Sequence, residues 1–262
     1  MTVRAVDLAW EATGDASAPA LVLCHSLGTD RSLWEPQLEV LRTSYRVLRV
    51  DLRAHGASPV PEGPYTLQQI ASDVIRVADA AGLKRFHHCG ISLGGMVGLL
   101  LAARYPERIS ALVAANTAAK IGTEERWQER CRAVRSVGMP GICDSVVPRW
   151  FAPDFASRGD GMLERMKNVF VATRADGYLA CCGALAAADI TTEVSRIKAP
   201  TLIIGGEHDA STSVADAEAL HAAVHGSRLT VLEGAGHLSN IDKSEEFTAR
   251  VSDFLREIAP SP

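Results

Sequence analysis

The segment His88–Gly95 constrains this chain more than any other. It contains Gly90-Ile91-Ser92-Leu93-Gly94, a G-x-S-x-G pattern. A short β-like run, Arg85–Cys89, precedes it, and a long apolar helix-like run, Met96–Arg104, follows it. Strand, tight turn and helix around such a serine describe a nucleophile elbow. The serine then sits on a strained turn with Oγ clear of the sheet. Glycines flank it because a Cβ at either place would strike the neighbouring strand or helix. The helix N-terminus beyond Ser92 aims free N–H groups at any negative charge that develops there. The plainer alternative is a glycine-rich turn whose serine only caps the helix.

Composition narrows the class. The chain has 262 residues, enough for one large α/β unit with an insertion. A net charge of −4 supplies no basic excess to neutralise phosphates, which argues against a nucleic-acid partner. No apolar run approaches a membrane span, and Met1-Thr2-Val3-Arg4 lacks the apolar core of a signal peptide. The six cysteines form neither C-x-x-C nor a zinc-ligand pattern. They are expected to be reduced, mostly buried thiols of a cytoplasmic protein without a metal.

The hydrophobic pattern alternates between strand and helix. Val3–Glu11 reads as a half-buried opening strand. Ala20–Cys24 and Arg46–Val50 are continuous apolar runs, as in strands covered on both faces. Ser32–Leu41 reads as a helix, and so does the stretch from Thr66 to about Ala81. After the elbow comes a strand at Ile109–Ala115. From about Thr117 the alternation breaks. Residues 118–189 read as short helices, Glu124–Val137, Cys143–Phe151, Gly161–Ala175 and Gly177–Ala188, inserted as a lid. Residues 1–117 and 190–262 form the core, whose rhythm resumes with Thr201–Ile204, Ser213–Val224, Arg228–Leu232 and Ser244–Ile258. The expected fold class is α/β, a mostly parallel sheet covered by helices on both faces.

Three reactive residues fall at strand ends in the order Ser92, Asp209, His237. A serine hydroxyl is a weak nucleophile until an imidazole takes its proton. That imidazole needs a carboxylate to fix its tautomer and stabilise its cation. His237 follows the last strand, in Gly-Ala-Gly-His. His25 and His55 lie at other strand ends, where loop-tying roles suit them better. His87 and His88 flank the elbow strand, and Glu207 competes with Asp209 for the acid. The position after the preceding strand offers only Asn116 and Thr117, which carry no charge. Asp30 and Asp51 read as turn-stabilising carboxylates. The oxyanion hole is expected from the backbone N–H groups of Leu93 and Leu27.

With those residues in view, the chain resembles the α/β-hydrolases over its whole length. His25-Ser26-Leu27-Gly28 stands where that family usually has His-Gly. Asp51-Leu52-Arg53-Ala54-His55-Gly56-Ala57-Ser58 stands where it has Asp-x-Arg-Gly-x-Gly-x-Ser, so Ser26 and Ala54 depart from glycine. A narrower resemblance is to the 3-oxoadipate enol-lactonases of aromatic-compound catabolism. It is carried by residues 25–30, 114–122, 149–151 and 177–182 and by His237-Leu238-Ser239-Asn240, several of them in the inserted helices. Some of those relatives carry a fused decarboxylase, an activity not expected here. The resemblance implies a serine hydrolase that opens an anionic lactone without a cofactor. A lactone carboxylate entering the site would need a cation. Arg149 and Arg130 in the lid and Arg53 beside the pocket are the candidates, with Trp127 and Trp150 as apolar wall. The Cys181–Cys182 pair reads as packing. A general carboxylesterase or cofactor-free perhydrolase would use the same three residues, and a non-catalytic hydrolase-fold binding protein would not need them. The oligomeric state is not encoded legibly.

Overall fold

Short runs of branched apolar residues fix the centre of the molecule, because a strand buried on both faces has no polar side to show. The computed structural model describes residues 6–159 and 161–258. Its sheet is built from β1 (Trp10–Thr13), β2 (Ala20–Cys24), β3 (Arg46–Val50), β4 (Phe86–Ile91), β5 (Ile109–Ala115), β6 (Thr201–Gly206) and β7 (Arg228–Leu232). The seven strands lie in the order β1-β3-β2-β4-β5-β6-β7. All neighbours are parallel except β1, which runs antiparallel to β3. Every residue of β2, β4 and β6 is buried.

The opening strand differs from its expected span. Of Val3–Glu11, residues 3–5 lie outside the described ones, and the strand itself is Trp10–Thr13. Backbone donors upstream are taken by side chains instead of a ladder: Val6 N–H donates to Asp73 Oδ1 and Ala9 N–H to Ser58 Oγ. Alternation in the sequence registered burial of Leu8 but not these side-chain acceptors.

Helices cover both faces. They are α1 (Glu35–Leu41), α2 (Leu67–Ala80) and α3 (Leu93–Arg104) before β5. Then come α4 (Glu124–Val146), α5 (Met162–Ala172) and α6 (Ala175–Ala187), and finally α7 (Val214–Ala223), α8 (Ser239–Asp242) and α9 (Ser244–Ile258). Thr66 and Gln69 form a reciprocal capping box that starts α2. α3 is apolar all round, and its first ten residues are buried against β4 and β5. Between β5 and β6 the described chain has no strand. There α4 breaks at Gly138, which has φ 70°. The helix resumes earlier than the expected Cys143, because Pro140 is tolerated in a first turn. No single helix among the described residues is long and apolar enough to cross a membrane.

Candidate active site

The turn between β4 and α3 places Ser92. Its backbone has φ 55° and ψ −114°, and its side chain makes no cap hydrogen bond, so the serine does not serve the helix. Such a conformation costs about 1–3 kcal/mol and survives only when its surroundings enforce it. Those surroundings are specific. Ser92 N–H donates to the Ala115 carbonyl at 3.0 Å, and Thr117 Oγ1 donates to the Ser92 carbonyl at 2.8 Å. Gly94 N–H donates to the His25 carbonyl at 3.1 Å. His88 Nε2 bonds the Gly94 carbonyl at 3.0 Å. A Cβ on Gly94 would collide with the Cys24 carbonyl, and one on Gly90 with the Gly94 carbonyl. The glycines therefore let the helix start press directly onto β2 and β4.

Asp209 and His237 meet across the ends of β6 and β7. His237 Nδ1 lies 2.8 Å from Asp209 Oδ2, and both residues are buried. Asp209 is the best-bonded carboxylate of the site. Its Oδ1 accepts from Ser211 and Thr212 N–H, and its Oδ2 accepts from Thr212 Oγ1. Burial pushes its proton affinity up, but the charge and hydrogen bond of His237 and the Thr212 donors outweigh that. The carboxyl is held well below the usual carboxylate range. Glu207, the rival acid, is half-exposed and accepts from Gly234 N–H instead.

Asn116 has a role that its lack of charge had hidden. It follows β5 with φ 46°, and its Nδ2 donates to Asp209 Oδ2 at 3.1 Å and to the Gly236 carbonyl at 3.2 Å. Ser239 Oγ in turn donates to Asn116 Oδ1. One amide thus joins the acid to the loop that carries His237. Asp242 does similar work on the other side: its Oδ2 accepts from Gly236 N–H at 2.6 Å and from Ala152 N–H at 3.0 Å.

Two buried imidazoles hold the loop after β2. His55 Nε2 accepts from Gly28 N–H at 3.0 Å, and His25 Nε2 accepts from Leu52 N–H at 2.9 Å. Both accept at Nε2, so each is neutral and protonated at Nδ1, which faces a carbonyl. Burial lowers them to about 4 for His25 and about 3 for His55. The loop so fixed leaves the Leu27 N–H without an acceptor among the described residues. The Leu93 N–H is in the same state, although the neighbouring N–H groups of Gly28, Thr29 and Gly94 all donate.

One cavity collects these parts. It is lined by Ser92, His237, Ser26, Leu27 and Ser211 from strand-end loops and by Trp127, Arg130, Val146, Arg149, Trp150 and Tyr178 from the helical insertion. Trp127 is anchored by its indole N–H on the Ile121 carbonyl, and Trp150 packs edge-on against Phe170. Arg130 donates to the Tyr178 hydroxyl at 3.0 Å. A third guanidinium, Arg126, also lines the cavity, and its proton affinity is lowered by burial and then by the charges of Arg149 and Arg130. The sequence reading overlooked it, although Arg126 and Arg130 are one helical turn apart. Among the described residues none of the three has an ion-pair partner.

Arg53 lies elsewhere. Its guanidinium is buried, bonds Asp73 at 2.6 Å and stacks over Tyr65, and it does not line this cavity. Spacing placed it at a strand end but could not show that Asp73 of α2 had claimed it. Asp51 and Asp30 stabilise turns as expected, Asp51 accepting from Arg31 and Ala57 N–H and Asp30 from Ser32 N–H. Among the described residues no group of three or more His, Cys, Asp or Glu side chains is placed to hold a metal ion.

This sheet, elbow and strand-end site define the class. The chain belongs to the alpha/beta hydrolase family, whose sequence model matches residues 21–250. More particularly, it is 38% identical over 256 residues to 3-oxoadipate enol-lactonase 2 of Acinetobacter baylyi, covering 98% of this chain and 96% of that protein. The crystal structure of the enol-lactonase from Burkholderia xenovorans LB400 matches with a TM-score of 0.94 at 41% identity, covering 97% of this chain and 99% of that one. A thermophilic esterase from Thermogutta terrifontis, in a malate-bound structure, matches with a TM-score of 0.90 at 27% identity, covering 97% and 94%.

Proposed function

We propose that this hydrolase opens the ring of a carboxylate-bearing enol-lactone, 3-oxoadipate enol-lactone, through an acyl-enzyme on Ser92. The observation that carries the reading is the cavity itself, where Ser92 and His237 face three guanidinium groups with no carboxylate partner. Arg130 is half-buried and Arg126 and Arg149 stand exposed at the mouth, a cation cluster that an anionic substrate satisfies. The likeness to the Acinetobacter and Burkholderia enol-lactonases supports the same substrate. Residues 118–189 act as the lid that carries the arginines.

In this mechanism His237 takes the Ser92 proton at Nε2, since Nδ1 is committed to Asp209. Ser92 Oγ then attacks the lactone carbonyl. The oxyanion is held by the N–H groups of Leu27 and Leu93, each worth about 3–4 kcal/mol in the transition state. Collapse breaks the ring C–O bond. The leaving group is an enol, more acidic than an alcohol, so it departs readily, and its oxygen takes the proton that His237 holds at Nε2. The enol later becomes the ketone. His237, neutral again, takes a proton from the water that attacks the acyl carbonyl, and gives it to Ser92 Oγ as the acyl C–Oγ bond breaks. The product carries two carboxylates. Arg130, close to Tyr178, holds the carboxylate that the substrate already had, with Arg126 and Arg149 screening the mouth.

Replacing Ser92 with Ala tests the nucleophile. The expected loss in kcat is about 10⁶-fold, the scale of other serine nucleophiles, together with loss of labelling by an organophosphorus probe. A loss below tenfold rejects Ser92 as the nucleophile, whereas a parent protein that neither turns over the lactone nor takes the probe leaves a binding protein on a hydrolase fold as the better reading.

A further inference from the structure

Behind the cavity wall, α4 and α6 form a second groove. It is lined by Trp127, Gln128, Cys131, Arg132 and Arg135 of α4 and by Cys182, Gly183 and Ala186 of α6. Of the six free cysteines, Cys131 alone is not buried. The Cys182 thiol, itself buried, lines the same groove as Cys131 and can donate to it. That bond, opposed by partial burial and reinforced by Arg135 and Arg130, holds Cys131 down to about 6. Burial, and then the same bond, push Cys182 well up. The two thiols are therefore unequal: one is a half-buried thiol whose thiolate is favoured, the other a buried thiol on the same groove. Arg132 and Arg135 stand exposed at the rim, and among the described residues neither has an ion-pair partner.

We propose that Cys131 and Cys182 form a dithiol modification site, which takes a small carboxylate-bearing disulfide at Cys131 and closes to a disulfide between α4 and α6. The Cys131 thiolate attacks one sulfur of the small disulfide. Its S–S bond breaks, and one small thiolate leaves. Cys182 loses its proton to water, and its sulfur attacks the Cys131 sulfur, expelling the second small thiolate. Two protein thiols are oxidised and one small disulfide is reduced to two thiolates. The arginines at the rim select the anionic reagent, and Trp127 offers an apolar wall. Cys131 is next to Arg130, and Cys182 is one turn from Tyr178, so the cross-link ties together the two helices that carry the Arg130–Tyr178 contact. None of this depends on the reaction at Ser92.

The test treats the intact protein with 5,5′-dithiobis(2-nitrobenzoate) from pH 5 to pH 9. We expect a fast phase that releases two thionitrobenzoate anions per chain and leaves no adduct. Its rate levels off above about pH 7, whereas an ordinary thiol would speed up by roughly 25-fold between pH 7 and pH 9 as its thiolate forms. Cys182→Ala releases one anion, keeps the adduct, and moves the rise to higher pH because the hydrogen bond is gone. Cys131→Ser abolishes the fast phase. Salt slows this anionic probe more than it slows neutral 4,4′-dithiodipyridine. A fast phase that survives Cys131→Ser, a stable single adduct on the parent protein, or a rate still climbing at pH 9 overturns the proposal.

Discussion

Ala54 and Ser92 both hold a left-handed backbone that their side chains resist, with φ 67° and 55°. At Ser92 the strain serves the proposed nucleophile. At Ala54 no such return is visible, and the family pattern has glycine there. Ala54→Gly relieves about 1–2 kcal/mol of local strain. It gives back part of that through a looser unfolded chain and through lost packing of its methyl against Gly177. We expect a net gain of roughly 0.5–1 kcal/mol, or a melting temperature about 1–4 °C higher for a chain of this size. A lower melting temperature would mean that the methyl packing dominates. The reactive residues were legible because apolar runs mark strand ends and chemistry selects Ser, Asp and His there. Asn116 was not, since its bond to Asp209 spans 93 positions and an amide advertises no charge. Arg53 misled for the matching reason: its partner Asp73 is on a helix that pattern alone does not dock.

Elements matter here through the way they grip the histidine loop. Asp242, at the end of α8, holds Gly236 beside His237 and Ala152 at the foot of the helical insertion. The Leu238 N–H adds a bond to the Trp150 carbonyl at 2.8 Å. Asp242→Ala leaves two buried N–H groups unsatisfied, each worth about 1–3 kcal/mol. We expect destabilisation of about 2–4 kcal/mol, or about 4–16 °C in melting temperature. Asp242→Asn, which keeps an acceptor oxygen, should lose less. Equal losses in both variants would show that the charge, not the two accepted bonds, matters. Apart from β1, strands and outer helices followed from periodicity within about three residues. The insertion was legible as helices with breaks, but not in how α4 and α6 share a wall, because neither has one clean apolar face.

Across the whole molecule, buried neutral imidazoles set the response to acid. Burial lowers His25 to about 4, His55 to about 3 and His88 to about 4. In the unfolded chain each takes up a proton near pH 6.5. The unfolded state therefore binds more protons between pH 6.5 and about 4, and stability falls as pH drops through that window. Asp209, lowered in the fold, adds a further loss once pH falls below about 4. Asp73 and Asp242 are raised by burial and act in the opposite sense, but they are two groups against four, since burial lowers His87 as well. The urea midpoint should be clearly lower at pH 4.5 than at pH 7 with the same m-value. An unchanged midpoint would mean that these histidines are protonated or solvated in the fold.

The cationic cavity and the proposed reaction at Ser92 meet in substrate choice. The decisive comparison is kcat/KM for 3-oxoadipate enol-lactone, its decarboxylated analogue and p-nitrophenyl acetate. If Arg126, Arg130 and Arg149 read the substrate carboxylate, the carboxylated lactone leads by about 10²-fold or more, the equivalent of about 3 kcal/mol of charge recognition. Similar values for all three, or a lead for the neutral ester, would contradict that reading and make the protein a general serine esterase.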